Sequence, residues 1–145
     1  MMHLVPFRVA HIESISDPET EPGLKAMLPP HYWREMEASG TAFSAFAYQE
    51  FLGCGGYAQP WEGTAHCWIW DTPAVHKYPL AVHKLIVRAI RYLEQDCGVW
   101  RISCDVRCGN ARAERWVELL GFRKEASMKK FGPDGSDFSL YARIT

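Results

Sequence analysis

Cysteine has the broadest chemistry of the side chains in this sequence, and the number and spacing of the five cysteines limit what that chemistry can be. Their number is odd and no two form a CxxC pair, which is typical neither of a disulfide framework nor of a zinc site. We therefore expect free thiols and a reducing compartment, the cytoplasm. The cysteines are Cys54, Cys67, Cys97, Cys104 and Cys108.

Two of these cysteines, Cys104 and Cys108, raise the question of a nucleophile. A catalytic thiol needs a neighbouring base, and no histidine or acid stands at a recognisable spacing from either residue. Cys104 also falls on the apolar side of an alternating segment, so we favour core packing for it. His76 and His83 are seven residues apart without a Cys or carboxylate pattern, and we expect no metal site.

Length and composition predict a single domain spanning residues 1–145. Apolar residues make up 48% of the sequence and charged residues 23%, a balance that supports a packed core. The formal net charge of −1 gives no overall attraction to nucleic acid or anionic lipid, and the first residues lack a long apolar stretch. No nucleic-acid or membrane partner is indicated. The oligomeric state stays open, a homodimer included.

The first half of the chain predicts one strand, then short helices, then three strands. Four prolines break residues 17–30 into turns with at most one helical piece, and glycines separate the first two strands. In the third strand His66, Trp68 and Trp70 share one face, and the two tryptophans are more typical of sheet packing than of a substrate cage. The predicted elements are short helices at 23–28 and 31–38 and strands at 42–51, 52–59 and 64–70.

The second half predicts two longer helices and three strands. Residues 80–95 carry apolar side chains at helical spacing and end before Gly98. A second helix begins at the N-cap Asn110 and ends at Gly121. Strands are expected at 100–106, 123–131 and 137–144, the last two joined by a Gly-Pro-Asp-Gly turn.

This order of elements predicts a mixed α/β fold, a mostly antiparallel sheet of six to seven strands flanked by helices. Runs of antiparallel strands with one βαβ crossover give such a sheet. The apolar periodicity predicts a buried core. The residues expected to be largely buried are Val82, Ile86, Ile90, Leu93, Ile102, Trp116, Leu120 and Phe122.

The segment at 106–122, VRCGNARAERWVELLGF, resembles a stretch of the GNAT acetyltransferases, the GCN5-related N-acetyltransferase family. There a strand leads to an Asn, an Ala three residues later, an apolar helix face and a closing Gly-Phe. The likeness of element order extends along nearly the whole chain and is closest in style to short GNAT-like proteins of tailed bacteriophages. It implies a GNAT fold, acetyl-CoA as cosubstrate, an amine acceptor, and parallel strands near 70 and 102 that splay apart.

The resemblance also implies which residues bind acetyl-CoA. Backbone groups at the end of the third strand would bind pantetheine, and the start of the helix at 80–95 would bind the pyrophosphate. That helix start has no glycine, and Pro79 removes one N–H donor, while three basic side chains add positive charge. The implied cosubstrate ligands are Ile69, Trp70, Asp71, Lys77, Leu80, Ala81, His83, Lys84 and Asn110.

For the base that accepts the amine proton, we expect His66 first, because its intrinsic pKa is near neutral, and then Glu62 and Glu50. Each also has a structural interpretation, a hydrogen-bonded histidine or a surface glutamate. Where many GNAT members carry a general-acid Tyr, this chain has Val117. The leading hypothesis is an N-acetyltransferase that transfers acetyl directly to an amine. A degenerate protein of this fold that binds a virion or host partner, and a CoA-binding sensor, remain the alternatives.

Overall fold

The computed structural model describes residues 2–13 and 24–145, which contain seven strands and five α-helices. The region predicted to be irregular at 17–30 lies partly outside these residues, and its described part contains the expected short helix. The helices are α1 (Ala10–Glu13), α2 (Leu24–Met27), α3 (Pro30–Ala38), α4 (Pro79–Arg91) and α5 (Ala111–Leu119). The strands are β1 (Met2–Pro6), β2 (Ala42–Ala47), β3 (Glu50–Trp61), β4 (Thr64–Asp71), β5 (Arg101–Arg107), β6 (Arg123–Met128) and β7 (Phe138–Ile144).

Within the described residues the strands form one seven-stranded sheet in the order β1-β2-β3-β4-β5-β7-β6. β4 and β5 are parallel, whereas β1–β2, β2–β3, β5–β7 and β6–β7 are antiparallel. The mixed, mostly antiparallel α/β sheet predicted from the order of elements is therefore confirmed. The parallel pair is the one whose strands are joined by α4, as a crossover connection requires.

The chain divides into two compact units. The first unit comprises Met1–Tyr57 with Ile69–Lys84, and the second comprises Ala58–Trp68 with Leu85–Thr145. β3, β4 and α4 each contribute residues to both units. Each unit has its own buried residues and is described by itself below.

Aromatic side chains from α3 and β4 form the core of the first unit. Trp33 stacks on Trp70 with ring centroids 4.8 Å apart, and both rings are buried. β3 lies very close to β4 here. A Cβ added at Gly53 would lie only 2.6 Å from the Trp70 carbonyl oxygen. Glycine at this position therefore permits the close backbone approach.

The turn between β2 and β3 comes earlier than the sequence predicted. The prediction placed the break after residue 51, at the glycines, but β2 ends at Ala47 and β3 begins at Glu50. Ala47 and Glu50 are register partners, and Tyr48 adopts a positive φ of 58° in the two-residue turn between them. The boundary was missed because this left-handed residue is a tyrosine, a type that rarely signals such a turn.

His11 is held by hydrogen bonds that require a neutral ring. Its Nδ1 accepts the backbone N–H of Arg8 at 3.2 Å and lies 2.8 Å from the Ser44 hydroxyl. The ring also packs against Phe46 and Phe51. Burial, assisted by the charge of Arg8 and opposed by Glu37, lowers the pKa of His11. Protonation of His11 therefore opposes folding.

The second unit is organised around β5, β7 and the end of α4. Ile102, Val99 and Tyr141 are each almost completely buried. A π-helical turn, Tyr92–Asp96, follows α4, and Arg143 on β7 bonds Glu94 in this turn at 2.8 Å. The same guanidinium donates to the Leu120 carbonyl at 2.9 Å and so fixes the end of α5.

The predicted core is confirmed for most of its members. Ile90, Leu93, Ile102, Leu120 and Phe122 are buried, whereas Val82, Ile86 and Trp116 are only half-buried. The two α4 residues retain exposure because the start of that helix is open to solvent, as its exposed residues 79–81 show. The periodicity identified the correct helix face but overstated how much of it is covered.

We predict that His11 makes the free energy of unfolding fall as the pH drops below 6.5. The unfolded chain binds a proton there while the folded state, with its lowered His11 pKa, does not. The loss is at most about 1.4 kcal/mol per pH unit and ends once the folded His11 is also protonated. Urea unfolding of the wild type and His11→Gln at several pH values measures it. Identical pH slopes in the two proteins would contradict this role.

A second stability prediction concerns the core of the second unit. Ile102 is 1% exposed and Ile144, on the neighbouring strand, is 61% exposed. Ile102→Ala should lower the free energy of unfolding by about 2–5 kcal/mol through lost burial and a cavity. The control Ile144→Ala should change it by no more than about 0.5 kcal/mol. Equal effects in chemical denaturation would show that the assignment of these two faces is wrong.

Candidate active site

The candidate site is built on the short parallel ladder between β4 and β5. Three residue pairs form this ladder, and the last of them joins His66 to Ser103. Both strands continue beyond that pair, but within the described residues no later residue of β4 is paired with β5. β5 goes on pairing with β7 as far as Arg107. The ladder therefore ends at His66.

His66 bonds two side chains of β5. Its Nδ1 lies 2.7 Å from the Ser103 hydroxyl oxygen, and its Nε2 lies 3.0 Å from Oδ2 of Asp105. Ser103 and Asp105 face the same way because they are two residues apart on a strand, and the register places His66 beside them. The His66 side chain is 39% exposed and that of Asp105 20%. The arrangement combines an acid, an accessible imidazole and a hydroxyl.

Sequence reasoning proposed His66 as a candidate base but gave neither of its two hydrogen-bond partners. The spacing of Ser103 and Asp105 places them on one strand face, which the alternation along β5 could have indicated. The pairing of His66 with Ser103 depends on strand register across a separation of 37 residues. No local pattern reports that register.

The other two candidate bases lie elsewhere. Glu50, at the start of β3, pairs with Lys77 at 2.9 Å in the first unit. This pair raises the pKa of Lys77, chiefly through its hydrogen bond with Glu50. Glu62 is exposed in the turn between β3 and β4. The structure thus brings Glu50 and Lys77 together, and of the two glutamates only Glu62 belongs to the same unit as His66.

The end of β4 carries three of the implied cosubstrate ligands. Ile69 is exposed, Asp71 is half-buried, and Trp70 is buried against Trp33. The indole N–H of Trp70 is buried and has no hydrogen-bond acceptor among the described residues. An unsatisfied buried donor is costly, so this group is suited to a carbonyl of a ligand or to a water molecule.

The start of α4 presents few but accessible donors. The first hydrogen bond of the helix runs from the Val82 N–H to the Tyr78 carbonyl oxygen, at 3.0 Å. The N–H groups of Leu80 and Ala81 come before it in the chain and therefore have no acceptor within the helix. Leu80 is 75% exposed, and Ala81 is exposed as well. Lys84 is exposed one turn further on, and His83 is half-buried. These residues fit an anion, with fewer backbone donors than a glycine-rich turn would give.

Asn110 acts as the N-cap of α5, as the sequence predicted. Its Oδ1 accepts the backbone N–H of Ala113 at 3.2 Å. Gly109 precedes it with a φ of 90°, a conformation that favours glycine. Because Oδ1 is used by the cap, the Asn110 side-chain NH2 is the group left for a ligand.

Two cysteines of the second unit, Cys67 and Cys104, are poor nucleophiles. Burial raises the pKa of Cys67 to about 12 and, with the nearby Cys67 and Asp105, raises the pKa of Cys104 to about 12. A thiol of such high pKa is almost entirely protonated at neutral pH. Cys108 is exposed, and its Sγ lies 3.4 Å from the Ser139 hydroxyl.

The described part of the chain offers neither a metal site nor a helix that could cross a membrane. No three histidine, cysteine or acidic side chains there are grouped so that they could hold a metal ion. No helix among the described residues combines the length and the apolar character that crossing a membrane requires.

Solved structures with this fold include acetyltransferases. An acetyltransferase of the GNAT family from Bacillus anthracis aligns with a TM-score of 0.73 and 17% identity, over 99% of this chain and 94% of its own. Ard1 from Thermoplasma volcanium aligns with a TM-score of 0.76 and 17% identity, over 99% and 97% of the two chains. A chimera of spermidine N-acetyltransferase SpeG from Vibrio cholerae with hSSAT aligns with a TM-score of 0.70 and 18% identity, over 99% of this chain and 95% of its own.

The sequence itself matches no protein-family model and no curated protein. The structural likeness nevertheless extends over nearly the whole length of this chain and of these neighbours. The structure therefore has the fold of the GNAT acetyltransferases.

Proposed function

We propose that this protein is an acetyl-CoA-dependent N-acetyltransferase that transfers acetyl directly to an amine while both substrates are bound. The observation that carries this proposal is the accessible imidazole of His66 at the end of the β4–β5 ladder, bonded to Asp105 and Ser103. Within the GNAT fold, such a group supplies the proton acceptor that amine acylation needs. The free cysteines support a reducing, cytoplasmic setting.

His66 is a better base than the two glutamates. Glu50 is already paired with Lys77, and proton transfer to it would break that ion pair. Glu62 lies in a solvated turn four residues before His66. His66 combines exposure with a ring that is held by two hydrogen-bond partners, Asp105 and Ser103.

The end of β4 and the start of α4 are suited to hold the cosubstrate. Acetyl-CoA would supply an activated acetyl group as a thioester. The buried Trp70 N–H would donate to a carbonyl of its pantetheine arm, with backbone groups of Ile69 and Asp71 beside it.

The pyrophosphate of acetyl-CoA would lie at the start of α4. The free N–H groups of Leu80 and Ala81, the helix dipole and the exposed Lys84 all favour an anion there, with His83 beside them. Lys77 would contribute only after leaving Glu50. Because that ion pair is exposed, separating it costs little.

The alternatives differ from this proposal in what they predict for acetyl-CoA. A degenerate protein of this fold, of the kind found in tailed bacteriophages, would bind a virion or host protein and would have no need of acetyl-CoA. A sensor would bind CoA without turnover. Binding of acetyl-CoA therefore distinguishes the enzyme from the degenerate protein. Turnover of acetyl-CoA distinguishes the enzyme from the sensor.

We predict that acetyl-CoA binds and that Lys84 contributes to its affinity. Isothermal titration of wild type, Lys84→Ala and Arg91→Ala at one moderate salt concentration tests this. Lys84→Ala should weaken binding about tenfold, the equivalent of one charge-assisted contact. Arg91→Ala, an equal change of charge at the exposed far end of α4, should weaken it less than about twofold, since screening acts over about 10 Å.

Two outcomes would count against this proposal. A wild-type protein that does not bind acetyl-CoA at millimolar concentration would overturn the enzyme and the sensor together. Equal losses in Lys84→Ala and Arg91→Ala would mean that the phosphates do not lie at the start of α4.

A prediction for Asn110 separates capping from ligand binding. Asn110→Asp keeps an oxygen for the Ala113 N–H and should retain stability, whereas Asn110→Ala should lose about 1 kcal/mol. If the side-chain NH2 also contacts CoA, Asn110→Asp should weaken CoA binding while the melting temperature holds. Unchanged affinity in Asn110→Asp would leave the residue as a cap alone.

A further inference from the structure

The two hydrogen bonds of His66 determine which of its nitrogens carries the proton. An ionised carboxylate only accepts hydrogen bonds, so Nε2, 3.0 Å from Asp105, must be the N–H. In the neutral ring Nδ1 then holds the lone pair. The base of the proposed reaction is therefore the nitrogen that faces Ser103.

Ser103 occupies that lone pair. Its hydroxyl oxygen lies 2.7 Å from Nδ1, so the hydroxyl donates its proton to the ring. A hydroxyl that donates one bond keeps two lone pairs as acceptors. The register partner of Ser103 on β7 is Ala142, so only a methyl group flanks it on that side. No proton reaches Nδ1 along this hydrogen bond without passing through Ser103.

We propose, on the basis of the proposed function, that Asp105, His66 and Ser103 form a proton relay in which Ser103 is the group that takes the proton from the acceptor amine. Asp105 is a positioning residue that holds the imidazole in the Nε2–H tautomer. His66 is the base, and Ser103 transmits the proton to it.

The relay balances in protons and charge. The amine nitrogen bonds to the acetyl carbonyl carbon, and the carbon–sulfur bond breaks. The electron pair of the carbon–sulfur bond leaves with the sulfur. One proton passes from the amine nitrogen to Ser103 Oγ, while the hydroxyl proton passes to His66 Nδ1. Ser103 is left unchanged and His66 becomes an imidazolium that Asp105 stabilises. The imidazolium gives its proton to the thiolate, leaving an amide and a free thiol.

The low exposure of Ser103 favours a relay over a nucleophile. Ser103 is only 7% exposed, whereas the ring of His66 beside it is 39% exposed. The amine proton reaches the buried Oγ of Ser103 even through a single intervening water molecule, so the amine need not contact Oγ. Acylation would require the thioester carbon to reach bonding distance of the buried Oγ.

The tautomer is measured without any substrate. Nitrogen-15 NMR of the histidine rings, with His66 assigned from the signals lost in His66→Gln, should show an Nε2–H ring with a bare Nδ1 at neutral pH. Asp105→Asn, whose amide either accepts or donates, should introduce the Nδ1–H form. A wild-type ring in the Nδ1–H form would overturn the relay.

The kinetic test compares two substitutions of Ser103 in acetyl transfer to a primary amine. Ser103→Ala should lower kcat about 100-fold, the lower bound for a lost acid–base group, with acetyl-CoA affinity unchanged. Ser103→Thr keeps the hydroxyl and suits a strand, so it should recover most of kcat. An unchanged kcat in Ser103→Ala, or an acetylated Ser103 found by mass spectrometry without amine, would overturn the relay.

These measurements separate the relay from the proposed function. Transfer by the wild type with no effect of Ser103→Ala would reject the relay and keep the acetyltransferase. Absence of transfer by the wild type would reject both. If Ser103→Thr does not fold, the tautomer of His66 in the wild type and the kcat of Ser103→Ala still decide whether the relay exists.

Discussion

The three-pair parallel ladder between β4 and β5 is the constraint on which the candidate site depends. Its last pair fixes His66 beside Ser103, and the two-residue repeat of a strand then brings Asp105 to the other side of the ring. β5 remains anchored beyond that pair through its ladder with β7. A one-residue slip would turn His66 away from both partners. The register is therefore a condition for the chemistry as well as for the fold.

The Glu50–Lys77 ion pair and the His66–Asp105 hydrogen bond have different physical roles. Glu50 and Lys77 form an exposed pair, and such pairs contribute little to stability and exchange partners easily. His66 and Asp105 are more protected, and in the proposed relay the carboxylate sets the orientation and tautomer of the ring.

Local patterns predicted the elements of this fold better than its site. Asn110 and Gly121 marked the ends of α5 because capping is local, and the alternation in 64–70 gave β4. The β2–β3 turn was misplaced because Tyr48 carries no turn signal. Asp105 and Ser103 were missed because their roles depend on register with β4, a contact between distant residues. His66 was proposed as a candidate from the chemistry of its side chain alone.

The most direct test of this account is the release of CoA from acetyl-CoA, quantified by chromatography with and without a panel of primary amines. The account predicts amine-dependent release with an equal amount of acetylated amine. His66→Gln should reduce that rate at least about 100-fold with acetyl-CoA affinity retained. Release that does not depend on any amine, or that is as fast in His66→Gln as in the wild type, would contradict it.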